Sequence, residues 1–141
     1  MEKYVSALKP KMVYIMTIPD EPHAGCVKIG DTTIETDEVN DFSDLQPNSK
    51  LLNRAAKKRI DSYTKTVTIA YRLHHTEMLV YMHKGKMEGI RDYLVHEVLR
   101  RSGIKKRDFG HKNQGREWYC CDVQTAINAI KAAKEGRTAL N

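Results

Sequence analysis

The chain has 141 residues, with 24 lysines and arginines against 18 aspartates and glutamates and a formal charge of +6. This length fits one domain with a single core, and no apolar run approaches the roughly 20 residues that a membrane span requires. The first eleven residues, MEKYVSALKPK, lack the apolar region of a secretory signal. The three cysteines match neither a disulfide framework nor a zinc site. We therefore expect a reduced, cytoplasmic protein that is not in a membrane.

Charge is unevenly distributed along the chain. Residues 31–44 contain six acidic residues and no basic one, whereas residues 100–116 contain seven basic residues against Asp108 alone. These seven are Arg100, Arg101, Lys105, Lys106, Arg107, Lys112 and Arg116. A basic segment is typical of proteins that contact nucleic acid. The segment is therefore the predicted contact surface.

Two short apolar runs, MVYIM and CVKIG, predict an antiparallel hairpin whose loop contains Pro19, Pro22 and Gly25. Side chains alternate between the two faces of a strand. The valines and isoleucines of both runs then share one face. Tyr14 and Lys28 are predicted to emerge together on the opposite face.

An acidic loop follows the hairpin, and Asn48 or Ser49 is predicted to cap the helix after it. The periodicity of residues 51–64 is helical. Arg59 falls on the apolar line of this helix and Arg54 lies roughly opposite, at about 100° per residue. Arg59 is therefore predicted to face inward and Arg54 to face water. An arginine that faces a core needs a polar or charged partner.

The segment TVTIAYRLHH, residues 66–75, alternates like a third strand. The segment MEGIRDYLVHEVLRRSG, residues 87–103, predicts a second helix that ends at Gly103. Asp92, His96 and Arg100 are spaced one turn apart on the face opposite its apolar stripe. That face is expected to be polar.

The last part of the chain predicts a short extended piece, EWYCC, and a final helix that Asp122 caps and Gly136 ends. The order strand, strand, helix, strand, helix, helix predicts an α+β fold. Its centre would be a small three-stranded antiparallel sheet flanked by helices. There is no internal repeat and no sign of a second core, so residues 1–141 are expected to form one domain.

The segments VYIM and VKIG, with the hairpin between them, resemble the two motif strands of the GIY-YIG endonuclease superfamily. Arg59 on the first helix is a third match. The later segments DYLVHEVL and EWY are similar to a phage and restriction-associated branch, and the resemblance covers roughly residues 11–130. Val13 stands where the family has its first glycine, and Lys28 replaces its second tyrosine. The acidic insert is atypical as well.

The resemblance implies a DNA endonuclease that depends on Mg²⁺ (or Mn²⁺) and acts in a restriction, phage or DNA-processing context. Tyr14 or Lys28 would be the general base, provided that burial or a neighbouring positive charge lowers its pKa. Arg59 would hold the phosphate through its planar guanidinium.

The resemblance also implies a metal ligand on the second helix, either Asp92 or Glu97, since Mg²⁺ needs few protein carboxylates. His96 would position water or a phosphate oxygen. The basic segment would contact DNA phosphates without reading sequence. Members of this branch often precede helicase or restriction regions, so the chain is expected to be the N-terminal domain of a longer protein.

Each of these residues also has a plain structural interpretation. Tyr14 and Lys28 can be ordinary strand residues, Asp92 and His96 a solvated pair, and His75 a strand-end histidine. Trp118 and the cysteines are expected to be apolar packing residues. The rival function is a non-catalytic DNA-binding module of the same fold within a larger helicase or restriction protein. An RNA- or protein-binding module would rest on the basic segment alone.

Overall fold

The computed structural model describes residues 10–64, 70–109 and 118–140. The strands are β1 (Lys11–Thr17), β2 (Val27–Thr33), β3 (Arg72–Met78), β4 (Val80–His83), β5 (Lys86–Gly89) and β6 (Trp118–Tyr119). The helices are α1 (Lys50–Thr64), α2 (Tyr93–Arg101) and α3 (Val123–Lys134). Within the described ranges, no helix has the length and apolar character that crossing a bilayer requires.

The α+β class is confirmed. Strands β1, β2, β3 and β6 form a four-stranded antiparallel sheet in the order β3-β1-β2-β6, and β4 and β5 form a separate hairpin. The predicted sheet had three strands. The fourth, β6, comes from the segment that the sequence marked only as extended, because Trp118 pairs with Lys28 at the free edge of β2.

Strand β1 lies at the centre of the sheet and is buried on both faces. Its odd-numbered side chains pack with those of β2 against α2 and α3, which together form the α2–α3 layer. Its even-numbered side chains pack against α1, which forms the α1 layer. The α2–α3 layer buries Val13, Ile15, Val27, Ile29, Val95, Val98, Leu99, Ala126, Ala129 and Ile130. The α1 layer buries Met12, Tyr14, Met16, Leu51, Leu52, Ala56, Ile60 and Trp118.

The helix ends follow the predicted capping residues. The Ser49 hydroxyl accepts a hydrogen bond from the backbone N–H of Leu52 at 3.1 Å, which satisfies a free donor in the first turn of α1. Asp122 does the same at 2.8 Å for the third residue of α3. Gly103 and Gly136 follow α2 and α3 with φ of 83° and 78°, the left-handed conformation that commonly ends a helix. These predicted boundaries are confirmed.

Two predicted elements have different bounds. The third strand is observed at Arg72–Met78 instead of residues 66–75, of which residues 66–69 lie outside the described part of the chain. The second helix was predicted from Met87 but begins at Tyr93. Lys84 and Gly85 both have positive φ and form the turn of the β4–β5 hairpin. Strand β5 therefore occupies the residues that were predicted to form the first turn of the helix.

The hairpin of β1 and β2 depends on close packing between Tyr14 and Gly30. These two residues face each other in the strand register. A Cβ atom added to Gly30 would overlap the Tyr14 ring and hydroxyl. The glycine therefore makes room for the tyrosine, which is 1% exposed.

We expect Gly30→Ala to lower the free energy of unfolding by about 1–3 kcal/mol, because the buried Tyr14 ring must shift to admit the methyl group. Urea denaturation measures this change. Gly89→Ala is the matched control, since the nearest atom to its new Cβ would be the Leu79 carbonyl oxygen at 3.8 Å. Equal stability of Gly30→Ala and the wild type would contradict this packing.

Candidate functional site

Tyr14 and Lys28 share one face of the sheet, as the strand alternation predicts. Register pairs Tyr14 with Gly30 and Met16 with Lys28, so Tyr14 and Lys28 are diagonal neighbours, about 7–8 Å apart at Cα. Both are buried, with 1% and 2% exposure. Their face is the one that α1 covers. The predicted acid–base pair therefore lies inside the α1 layer.

Arg59 does not face inward. The buried line of α1 is formed by Leu52, Ala56 and Ile60, and Arg59 is exposed. Arg59 precedes Ile60 by one residue, so its side chain is rotated by about 100° around the helix axis and lies off that line. The prediction that Arg59 faces inward is wrong, and the prediction that Arg54 faces water is confirmed.

Both arginines line an open groove of about 450 Å³ between α1 and the end of β2. The charged residues of the groove are Glu35, Glu38, Arg54, Lys58 and Arg59. The groove thus carries both signs of charge. It provides two guanidinium groups and two carboxylates.

A second polar group lies on the opposite side of the sheet. We call this group the carboxylate cluster. Its members are Lys11 of β1, Asp31 of β2, Asp92 just before α2, His96 of α2 and Tyr119 of β6. The Lys11 ammonium donates to Asp31 Oδ2 at 3.0 Å and lies 3.8 Å from Asp92 Oδ1. The cluster brings four elements of the fold to one place.

The two carboxyl groups of the cluster share a hydrogen bond and have opposite pKa shifts. Burial, followed by the Asp31 carboxylate, raises the pKa of Asp92. Burial would also raise the pKa of Asp31, but the hydrogen bonds from Asp92 and Lys11 outweigh it and lower that pKa. Two carboxylates in contact cannot both ionise freely, so Asp92 keeps its proton to higher pH than Asp31.

His96 was predicted to share the polar face of α2 with Asp92, and both side chains do lie near Asp31, but His96 is half-buried. Its ring packs on Tyr119 with centroids 5.5 Å apart, and its Nδ1 lies 2.6 Å from the Tyr119 hydroxyl. The buried line of α2 is Val95, Val98 and Leu99, so the adjacent His96 lies at the border of the core. Burial, and then the Lys106 charge, lower the pKa of His96 to about 4. The ring is therefore neutral at physiological pH.

The other predicted metal ligand, Glu97, is engaged elsewhere on α2. Its carboxylate accepts hydrogen bonds from Arg100 and Arg101, the latter at 3.1 Å. Hydrogen bonding from Arg100, and to a smaller extent from Arg101, lowers the pKa of Glu97. Asp92 is thus the predicted ligand that lies beside a second carboxylate.

Residues 105–107 of the basic segment lie along the outer edge of β6. Arg107 donates its backbone N–H to Trp118 at 3.0 Å, and Lys106 forms a β-bridge with Tyr119. The Lys106 ammonium lies 5.8 Å from the centre of the Tyr119 ring. Lys105, Lys106 and Arg107 are exposed. Two predicted DNA contacts, Lys112 and Arg116, lie outside the described residues, as does Glu117.

His75 is held by polar side chains of the fold. It is 8% exposed, its Nε2 lies 2.8 Å from Glu77 Oε2, and Lys134 of α3 donates to the same carboxylate. Asn48 lies on the other side of the ring, 3.4 Å from Nδ1. This network ties β3 to α3.

The sheet therefore divides the predicted site residues between two layers. Tyr14 and Lys28 lie in the α1 layer, whereas Asp92 and His96 lie in the α2–α3 layer. Sequence reasoning missed Lys11, Asp31 and Tyr119. Asp31 had a usable signal, since it continues the alternation of Val27 and Ile29 on the α2–α3 face.

Comparisons of the chain with known protein families, curated proteins and solved structures found no match. The resemblance to GIY-YIG endonucleases consequently depends on the quoted motif residues alone. Any function must be argued from the geometry of the carboxylate cluster and its surroundings.

The lowered pKa of His96 predicts a pH dependence of stability. Between pH 6.5 and about 4 the unfolded chain binds a proton at this histidine and the folded chain does not. Stability therefore falls as the pH drops through this window, by up to about 3 kcal/mol. Chemical denaturation at several pH values measures the slope, and histidine NMR signals report the pKa directly.

His96→Gln should flatten that part of the profile, because glutamine does not titrate. His74→Gln, which removes an exposed histidine of β3, is the matched control. A pKa of His96 near 6.5 in the folded protein would contradict the burial of the ring.

Proposed function

We propose that this chain is a metal-dependent DNA endonuclease domain whose reaction centre is the carboxylate cluster. One observation supports the proposal most strongly. The Asp31–Asp92 pair lies beside neutral His96 and adjoins the exposed basic segment through Lys106. An acidic pair that can hold a cation and a basic edge that can hold DNA are then neighbours.

The donor set of the cluster fits Mg²⁺. This ion is commonly bound by one or two carboxylates, together with water and substrate phosphates. Asp31 and Asp92 would hold it. Among the described residues, no three His, Cys, Asp or Glu side chains are grouped as a closed metal site would need. When bound, Mg²⁺ would stabilise negative charge on the transferring phosphate and on the leaving oxygen.

The protein residues would act by position and charge. His96 has a pKa of about 4, too low for an efficient general base near pH 7. It is better suited to hold a water or phosphate oxygen through Nε2, since the Tyr119 hydroxyl engages Nδ1. The Lys11 ammonium offsets one negative charge of the two carboxyl groups.

The basic segment would hold the DNA backbone next to the cluster. Lys105, Lys106 and Arg107 are exposed and fixed to β6 by backbone contacts, so their positions relative to Tyr119 are set by the sheet. Contacts of this kind bind phosphates without distinguishing base sequence. We also propose that the protein is cytoplasmic and that this domain is fused to a helicase or restriction region.

A second candidate is a DNA-binding module without catalysis. Two observations favour it: Lys11 already pairs with both carboxylates, and the predicted bases Tyr14 and Lys28 are buried in the other layer. Such a module would use the basic segment in the same way. The two candidates differ only in what the carboxylate cluster does.

Asp31→Asn and Asp92→Asn should each abolish nicking of supercoiled plasmid in Mg²⁺ or Mn²⁺, because each removes one of the two oxygen donors. Both variants should still bind DNA, and loss of a negative charge can even tighten binding. Glu97→Gln is the matched control on the same helix and should retain cleavage. Gel analysis of the plasmid, beside a gel-shift titration, measures both effects.

Loss of cleavage in Glu97→Gln alone would place the metal ligand on the outer side of α2. Loss in Arg59→Ala, with both aspartate variants active, would place the centre at the groove of α1. If the wild type never nicks DNA with either metal, the non-catalytic module is the better description.

Reversing Lys105, Lys106 and Arg107 to glutamate should weaken DNA binding equally for unrelated sequences and reduce its salt dependence. The matched control reverses Arg54, Lys57 and Lys58 on α1, which gives the same change in net charge on another exposed surface. Gel-shift titration at several salt concentrations compares the two. Equal weakening by both triple variants would show an effect of net charge alone.

A further inference from the structure

Cys26 and Cys120 face each other across the edge of the sheet. The pairs Val27–Tyr119 and Lys28–Trp118 define the register of β2 and β6. Cys26 and Cys120 continue this register one position beyond the two strand ends, and their side chains are in hydrogen-bond contact. Facing residues of antiparallel strands have Cα atoms about 4.5–5.5 Å apart, which lies within the range of about 4.4–6.8 Å that a disulfide bond spans.

The two thiols differ in exposure, and they interact. Cys26 is 3% exposed, whereas Cys120 is open to solvent. Burial, and then the neighbouring Cys120 thiol, raise the pKa of Cys26, while Arg107 opposes the rise with its Nη1 at 3.7 Å from the sulfur. Cys120 therefore does not match the expectation that the cysteines are buried packing residues.

Cys121 has a different environment. It packs at the border of the α2–α3 layer and is half-buried. Burial raises the pKa of its thiol to about 11. It lies beyond the end of β6, in a tight turn where its backbone N–H donates to the Tyr119 carbonyl oxygen at 3.1 Å. It is the natural internal control for the pair.

We propose that Cys26 and Cys120 are a modification site that a two-electron oxidant such as hydrogen peroxide converts into a reversible intramolecular disulfide. The exposed Cys120 thiolate attacks one peroxide oxygen, which gives a sulfenic acid and hydroxide. Cys26 thiolate then attacks the Cys120 sulfur and displaces a second hydroxide. Overall, two thiols and one peroxide give one disulfide and two waters, and a dithiol reductant reverses the change.

The cross-link would fasten β6 to β2 at the position beside Tyr119. Tyr119 holds His96 by the 2.6 Å contact between its hydroxyl and Nδ1. Oxidation would therefore stabilise the strand on which the carboxylate cluster depends. The disulfide itself stands independently of the proposed function, because its formation needs only the two thiols and the oxidant.

The experiment treats the full chain with hydrogen peroxide, unfolds it in denaturant and counts free thiols with a thiol reagent. The wild type should fall from three thiols to one, and Cys121→Ser should fall from two to none. Cys120→Ser, an exposed change that should not disturb folding, should keep both of its thiols. Dithiothreitol should restore the starting counts.

Mass spectrometry of a non-reduced tryptic digest identifies the bond. The expected product links the peptide of residues 12–28 to that of residues 117–131. Because the second peptide contains both Cys120 and Cys121, the assignment is made in Cys121→Ser. The proposal is overturned if the wild type keeps three thiols, if Cys120→Ser loses two, if Cys120 joins Cys121, or if a cross-linked dimer is the product on a non-reducing gel.

Discussion

The burial of β1 on both faces is the constraint on which the rest of the structure depends. With strands β2 and β3 paired to its two edges, its side chains alternate between the α1 layer and the α2–α3 layer. Strand β2 inherits that alternation through its register, whereas the register of β3 shifts between Ile15 and Met16 of β1. A shift by one residue would exchange the two layers, so each polar side chain of the sheet belongs to one side only.

This constraint separates two possible centres. Lys28 and Tyr14 are enclosed between the sheet and α1, where a substrate phosphate would have to displace packed apolar side chains. Asp31 and Asp92 are partly exposed, with 21% and 36% of their side-chain surfaces accessible. The second centre is reachable from solvent and adjoins the basic edge at Lys106. Its access to solvent and its proximity to the basic edge thus favour the carboxylate cluster as the proposed reaction centre.

The sequence predicted what depends on local patterns. Strand alternation placed Tyr14 and Lys28 on one face, and the capping residues Ser49 and Asp122 marked two helix starts. Its predictions failed where contacts between distant segments determine the environment of a side chain. The orientation of His96 depends on Tyr119, which is 23 residues away. Arg59 fell within one helical position of the buried line, a difference that a periodicity alone does not resolve.

Paramagnetic broadening by Mn²⁺ in the NMR spectrum tests the central claim most directly, because it locates a bound cation without requiring turnover. At substoichiometric Mn²⁺, the amide signals of Asp31 and Asp92 should broaden first, and the Asp31→Asn variant should lose the effect. Signals of α1 around Arg59 should stay sharp. Selective broadening beside Glu35, Glu38 and Arg59, with Asp31 and Asp92 unaffected, would contradict the account and place the cation in the groove of the α1 layer.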